Sequence, residues 1–258
     1  NYDANSISIL RNDPVGLNVS GALSSVNTTY GAASASPTSF TVSGTNMQAG
    51  VTITPPVGYE VSQTAGGASG YAGSGTAIVV GATGTIASTT VYVRLAANLI
   101  IGAYSGNIVC SSTHATTVNL ATVSSTVSPA PLTITASNTS KTYGTSLAGG
   151  AGSTAFTAVG LQNSETIASV SIAYTAGTGN GNTATDAVGT YTAKVIPSAA
   201  TGGTFTASNY AITYSAGNIA VTPAALSITA ANASKTYGTT LTGGAGSAAF
   251  AATGLLNS

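Results

Sequence analysis

The chain has 258 residues, of which 43% are hydrophobic and 4% are charged, with five Lys and Arg balanced by five Asp and Glu. This length and apolar content suit two domains with packed cores and argue against a disordered chain. Five scattered cations cannot form the basic patch that phosphate recognition needs, so we expect no nucleic-acid partner. No stretch reaches the roughly 18 to 20 apolar residues of a transmembrane helix, so we expect no membrane span in this segment.

Residues 1–16 are a strand-like lead-in, and residues 17–129 carry the alternating pattern of an all-β sandwich. The stretch TVYVRLAAN, for example, places Val91, Val93 and Leu95 on one face and the intervening tyrosine and arginine on the other. Similar short segments recur from GALSSV onward, which predicts about seven or eight strands and an immunoglobulin-like sandwich. The lead-in has no basic region or apolar core of a signal peptide, so we expect an internal or processed piece of a longer protein.

Two residues of this first region belong to types that carry chemistry elsewhere. Cys110 is the only cysteine, and it alternates with Ile108 in SGNIVCSS as an inward-facing strand residue would. We predict a small buried core residue rather than a reactive thiol. His114 is the only histidine and lies in the Ser/Thr-rich segment SSTHATT, where we expect an exposed turn without catalytic partners.

The second half of the chain contains a tandem repeat. Residues 131–164 and 225–258 are identical at 24 of 34 positions with an offset of 94 residues. We therefore assign residues 130–223 to one complete module and residues 224–258 to part of a second copy. SPAPL and TPAAL mark the joints, where proline ends one module's last strand and gives a short, stiff connection that favours an extended rod.

The repeat carries the recurrent features LTITA, KTYG, GTY and NYAITYSAGNIAVTPA. With these it resembles the MBG repeats, named as mostly β and glycine-rich, of large bacterial surface proteins, and the preceding sandwich is similar to the one that often stands before them. The resemblance implies an all-β fold, an exported protein at the bacterial cell surface, and a stalk or filament element of an adhesin-like protein. It implies no catalytic residues.

The remaining polar residues give little support to an enzyme. Glu60, Glu165 and Asp186 lie in different strands or turns, so no pair of carboxylates is expected to converge for acid–base work. No acidic calcium motif is present, and the glycine-rich strings GGAGS and GTGNGN lack the Lys-Ser/Thr of a phosphate loop. We therefore predict no catalytic, cofactor-binding or metal-binding residues, no cofactor and no enzyme activity.

The motif KTYG, at Lys141 and again at Lys235, has two interpretations. A lysine there could form an intramolecular amide bond with an asparagine, assisted by Glu165 or Asp186. The favoured interpretation is a turn with an exposed lysine and a packed tyrosine. Whether such crosslinks form at either position or at Lys194 stays open, and intact mass distinguishes the two because each bond releases one ammonia.

Tyrosine is the dominant aromatic, with twelve residues against four Phe and no Trp. It could supply a sugar-stacking or self-adhesive surface, but Tyr92, Tyr191, Tyr210 and Tyr214 lie in strand alternation, which favours rings in the core and hydroxyls in water. Two functions follow from these patterns. The first is a non-catalytic stalk or filament segment serving adhesion or surface attachment, and the alternative is a carbohydrate- or surface-binding module with its site in the glycine-rich loops.

The second copy raises a further expectation. Residues 225–258 correspond to the first 34 positions of a 94-residue module, so its closing strands are missing from this sequence. A half-built sheet exposes apolar faces and unpaired backbone groups. We expect that further residues or strands of an identical chain complete it, by strand exchange or filament assembly, with continuation of the chain favoured.

Overall fold

A computed structural model describes residues 14–65 and 70–256 of the chain. The described residues form an all-β protein with 21 strands and one short 3-10 turn at Ala207–Asn209. They divide into two compact units. The first contains the described residues up to Ala130 together with the segment Ser208–Ala211, and the second contains Pro131–Ala207 and the residues from Ile212 onward. Most of the predicted lead-in lies outside the described residues.

Eleven strands belong to the first unit. They are β1 (Gly16–Ser20), β2 (Thr28–Thr29), β3 (Thr38–Met47), β4 (Val51–Thr54), β5 (Tyr59–Ser62), β6 (Ile78–Val80), β7 (Gly84–Leu95), β8 (Gly102–Tyr104), β9 (Asn107–Ser111), β10 (Val118–Ala121) and β11 (Ser125–Ser128). Two sheets have four strands, in the orders β1-β3-β7-β5 and β10-β9-β4-β6, and a third has the order β2-β11-β8. The sequence predicted fewer strands in part because β2 and β8 are only two or three residues long, whereas β6 lies in the segment TAIVVGA that the sequence predicted as a strand.

The alternation predicted in β7 is confirmed. Val91, Val93 and Leu95 are completely buried, as are Ile108 and Cys110 on the inward face of β9. Strand residues of the same parity share one face of a sheet, so each of these strands supplies one row of the core. The first unit is therefore a sandwich whose core is built from β-branched and aliphatic residues.

The strand expected at GALSSV is wrong, because residues 21–27 pair with no strand. β1 ends at Ser20, just before this segment, and is followed by Gly21, whose φ of 128° is accessible mainly to glycine. Val26 is nevertheless buried, and its amide donates to the Oγ of Ser125 at 2.9 Å. A side chain thus satisfies the backbone group that a neighbouring strand would otherwise satisfy.

Ten strands belong to the second unit, although the first residue of β12 and the first two residues of β18 are assigned to the first unit. They are β12 (Ala130–Ala136), β13 (Thr139–Thr142), β14 (Gly150–Ser153), β15 (Phe156–Val159), β16 (Ser169–Tyr174), β17 (Gly189–Thr201), β18 (Tyr210–Ser215), β19 (Gly217–Thr222), β20 (Ser227–Ala230) and β21 (Phe250–Thr253). The complete repeat has a three-stranded sheet, β15-β12-β18, and a five-stranded sheet, β13-β19-β17-β16-β14. β20 and β21 form a separate two-stranded sheet.

The core of the complete repeat comes from the inward faces of these two sheets. Leu132 and Ile134 of β12 are buried, as are Val170 of β16 and Ile219 and Val221 of β19. Each sheet alone would leave one apolar face in water, so the opening and closing halves of the repeat depend on one another for burial.

A Tyr-Gly turn occurs at the same topological place in both units. β2 runs parallel to β11 and is followed by Tyr30, whose amide donates to the carbonyl of Ser128 at 2.8 Å. In the same way β13 runs parallel to β19, and the amide of Tyr143 donates to the carbonyl of Thr222 at 2.9 Å. The acceptor residues Ser128 and Thr222 each directly precede the proline of a module joint. Both Tyr-Gly turns are therefore hydrogen-bonded to the last residue before a joint.

Candidate functional site

The residue types that most often carry catalysis are dispersed. His114 is exposed in the turn after β9 with a φ of 61°, as its sequence context predicted. Cys110 is buried in β9, and burial raises the pKa of its thiol to about 11. At neutral pH the nucleophilic thiolate is therefore scarce. Among the described residues, no group of three or more His, Cys, Asp and Glu could hold a metal ion.

Glu60 and Arg94 form an ion pair that the sequence did not reveal. They are register partners on β5 and β7, and Arg94 Nε lies 2.5 Å from Glu60 Oε1. The Arg94 guanidinium carbon also lies 3.9 Å from the centroid of the Tyr71 ring, a cation–π geometry. The sequence shows that Glu60 and Arg94 are oppositely charged strand residues. It does not show that they lie opposite one another, because that depends on the register between β5 and β7.

Tyr71 completes this cluster over the outer face of the sheet. Its hydroxyl is buried and has no hydrogen-bond partner among the described residues. Burial raises its pKa, with smaller raising effects from Glu60 and Tyr92 and an opposing effect from the Arg94 guanidinium. Within the described part of the chain these residues hold a loop against the sheet, and nothing places a reacting group beside them.

The KTYG turn differs from the favoured prediction. Lys141 is only 7% exposed, so the expected exposure of this lysine is wrong, whereas Tyr143 is half-buried and therefore partly packed. Lys141 Nζ donates to the carbonyl of Thr183 at 2.7 Å. Successive side chains of a strand point to opposite faces of the sheet, and in β13 Lys141 occupies a position that faces inward.

The loop that receives Lys141 is organised by a buried carboxylate. Asp186 Oδ1 accepts from the amide of Gly179 at 2.5 Å, and Oδ2 accepts from the amide of Thr183 at 2.7 Å. Burial alone would raise the pKa of Asp186, but backbone hydrogen bonds from Thr183, Gly179 and Gly181 outweigh it, so the pKa is lowered. The side-chain oxygen of Asn182 in this loop is buried without a partner among the described residues.

The residues proposed for a crosslink are thus partly brought together. Lys141 and Asp186 contact the same residue, Thr183, beside Asn182. Glu165 lies elsewhere, with its amide donating to Gln162, and Lys194 lies in β17. Lys235 of the second copy is exposed, with Nζ 3.3 Å from the carbonyl of Thr239. Crosslinking remains an open prediction, and Lys141 is the one lysine of the three that the fold encloses.

The glycine-rich segment lines a cleft in the complete repeat. This cleft has a volume of about 350 Å³ and is bordered by Asn138, the strand Gly150–Ser153 and Tyr174. Gly149 is required there, since a Cβ on it would lie 2.4 Å from the carbonyl oxygen of Ile172. The cleft combines backbone amides, an amide side chain and one aromatic ring, which are the groups that a sugar would need.

Most tyrosines among the described residues lie in strands, but the prediction of rings in the core holds for Tyr210 and not for Tyr214, which is 36% exposed. Several tyrosine hydroxyls bond to the backbone rather than only to water. Tyr59 donates to the carbonyls of Tyr104 and Val123, and Tyr191 donates to the carbonyl of Ala187. In the first unit, the rings of Tyr30 and Tyr210 meet edge to face at 5.6 Å. These contacts favour a packing role over an adhesive one.

The most unusual surface is the hairpin of the second copy, residues 226–256. Leu226, Ile228 and Phe250 are 51%, 63% and 51% exposed, and Tyr237 is fully exposed. The hairpin has two strands, and no further strand pairs with it among the described residues. Its apolar side chains and its outer backbone edges are therefore exposed within the described residues.

Comparison with known proteins agrees with the sequence resemblance. Residues 132–220 match the family model described as MBG domain (YGX type). Neither the curated proteins nor the solved structures gave a match. The match identifies residues 132–220 as an MBG module, a kind of repeat that is typical of surface proteins. None of the helices among the described residues has the length and apolar character to cross a membrane.

Proposed function

We propose that the chain is a non-catalytic structural segment, a stalk or filament element, of an exported bacterial surface protein that serves adhesion or surface attachment. The observation that carries this proposal is the tandem copy of an MBG domain, with 24 of 34 residues identical at an offset of 94. Duplicated modules extend a protein without adding chemistry, because each copy repeats the same fold. The proline at each joint supports an extended arrangement.

The charge distribution supports the same role. The chain has five positive and five negative groups among 258 residues. Glu60 and Arg94 neutralise each other, and Lys141 and Asp186 are enclosed within the repeat. A surface with so little charge opposes lateral or end-to-end association only weakly.

Antibodies raised against the 258-residue chain would test the location. We expect them to label intact cells of the source bacterium, and protease added outside those cells should remove the signal. An antibody against a cytoplasmic protein is the control for cell integrity. Labelling that appears only after the cells are broken would contradict the proposal.

A second candidate function rests on the glycine-rich cleft beside Tyr174. A carbohydrate-binding module would present an aromatic ring and amide groups in such a cleft. A glycan array with the chain and its Tyr174→Ala variant distinguishes the two functions. The structural role predicts no binding by either, whereas glycan binding that Tyr174→Ala removes and Tyr174→Phe keeps would favour the binding module.

A further inference from the structure

We propose that Lys141 and Asn182 of the complete repeat form an intramolecular amide bond between the lysine Nζ and the asparagine Cγ. The bond joins strand β13 to the loop between β16 and β17. The inference rests on side chains within the complete repeat and not on where the protein is located, so it can fail without affecting the proposed function.

Lys141 is a buried lysine with few partners. Its side chain is 7% exposed, and within the described residues its Nζ has one hydrogen-bond partner, the carbonyl oxygen of Thr183 at 2.7 Å. An ammonium group has three N–H donors, and no carboxylate of the described residues forms an ion pair with this one. Enclosing a cation without such a partner is costly. An amide nitrogen carries no charge and keeps one N–H for the carbonyl of Thr183.

Asn182 has an unpaired acceptor beside this lysine. Its Oδ1 is buried and has no hydrogen-bond partner among the described residues. Buried polar atoms without a partner are rare in folded proteins, and each one calls for an explanation. Asn182 directly precedes Thr183, the residue that Lys141 contacts. The underused donor and the unpaired acceptor therefore belong to the same enclosed site.

Backbone hydrogen bonds hold the asparagine against the KTYG turn. The amide of Gly144 donates to the carbonyl of Ala184 at 3.0 Å, and the amide of Leu147 donates to the carbonyl of Asn182 at 2.9 Å. The carboxylate of Asp186 accepts two further amides of the same loop. Two groups that the fold already holds near one another react far faster than the same groups free in solution.

The reaction is an exchange of one amide for another. The lone pair of the neutral Nζ attacks Cγ of Asn182, so that the Nζ–Cγ bond forms and the Cγ–Nδ2 bond breaks. Nδ2 takes up one proton from Nζ and leaves as ammonia. Atoms and electrons balance without an oxidant, and the product differs from the unreacted chain by the loss of one ammonia.

The second copy of the motif provides an internal control. Lys235, the counterpart of Lys141, is exposed, and its Nζ lies 3.3 Å from the carbonyl oxygen of Thr239 in its own turn. An exposed ammonium is well solvated and gains nothing from losing its charge. We therefore expect Lys235 to keep its free amine in the same molecule in which Lys141 has reacted.

The test is the intact mass of the purified chain, followed by trypsin digestion after denaturation. We expect a mass below that of the sequence by one ammonia. Trypsin needs a charged side chain before the cut, and its sites include Arg94, Lys141 and Lys194. Residues 95–194 should therefore be recovered as one peptide that lacks one ammonia, with normal cleavage after Lys235. Fragmentation of this peptide should place the bond between Lys141 and Asn182.

Three variants identify the two partners. Lys141→Arg and Asn182→Ala should each have the full mass of their own sequence and give separate peptides 95–141 and 142–194. Lys235→Arg is the matched control and should still lack one ammonia. The full mass in the parent chain would overturn the proposal whatever the variants do. Loss of ammonia with normal cleavage after Lys141 would also overturn it and would indicate that an asparagine has closed on its own backbone.

Discussion

The complete repeat and its second copy present nearly the same residues in two environments. Leu132 is 1% exposed and its counterpart Leu226 is 51% exposed, while Ile134 is 0% exposed and Ile228 is 63% exposed. The strand register around these residues is unchanged. The pairing of the opening strands is therefore encoded locally, whereas burial is supplied by residues more than 30 positions later in the repeat.

This difference separates two contributions to stability that are normally measured together. Isolated two-stranded hairpins are marginal in water, and packing against a third element is what makes them stable. A substitution in the complete repeat reports both local pairing and burial. The same substitution in the second copy reports local pairing alone.

Truncation of the central isoleucine should have the largest effect. Ile134→Ala removes a completely buried side chain, so we expect a loss of about 2 to 5 kcal/mol in the unfolding free energy of the second unit. Ile228→Ala removes an exposed one and should change that free energy by less than about 0.5 kcal/mol. The measurement is urea unfolding, monitored by hydrogen exchange in residues 131–222, for both variants. Equal losses of unfolding free energy in Ile134→Ala and Ile228→Ala would mean that Ile228 is covered in solution.

Replacement of the KTYG lysine should have an intermediate effect. Lys141→Met keeps the buried stem but leaves the carbonyl of Thr183 without its donor, which should cost about 1 to 3 kcal/mol. Lys235→Met is the matched control and should cost nothing measurable, because Lys235 is exposed. Thermal unfolding of the two variants measures the difference. A destabilised Lys235→Met with an unaffected Lys141→Met would reverse the assigned roles.

Asp186 should give the complete repeat a pH dependence that the hairpin lacks. Because its pKa is lowered on folding, its contribution to stability is present above the ordinary aspartate pKa of about 3.9 and is lost as pH falls through the lowered value. Asp186→Asn should therefore destabilise the repeat by about 1 to 3 kcal/mol at pH 7 and by less below about pH 4. Unfolding curves at several pH values would contradict this if the difference were constant.

The smallest effect is expected at His114, in the first unit. His114→Ala alters an exposed turn residue, so we expect less than about 1 kcal/mol and no change in the exchange of either repeat copy. His114→Gly is the companion variant, since glycine suits the φ of 61°. Loss of any binding property in His114→Ala would identify a site at this turn.

The sequence predicted most of the fold from period-two alternation and from the duplication. Val91, Val93 and Leu95 were assigned to the correct face because alternation is a local signal. It did not predict that GALSSV stays unpaired, because this depends on Ser125, a residue 99 positions from Val26. Burial of Lys141 was missed for a similar reason, since its acceptor, Thr183, lies 42 positions away.

For the candidate site, the sequence predicted an open half-module but not its geometry. The duplicated opening half followed from the offset of 94 residues. The shared role of the Tyr-Gly turns in both units did not, because TTYG and KTYG lie in otherwise dissimilar sequences. Only the parallel pairing of β2 with β11 and of β13 with β19 relates them.

That parallel pairing has a mechanical consequence. β13 lies near the start of the repeat and β19 at its end, and four residue pairs join them from Thr139–Ile219 to Thr142–Thr222. Tension applied across the repeat pulls two parallel neighbours in opposite directions, so their hydrogen bonds are loaded in shear and must rupture together. Bonds of an antiparallel hairpin pulled from its open end would instead unzip one at a time. The repeat thus places a shear-loaded contact between a strand near its start and the last strand of the repeat.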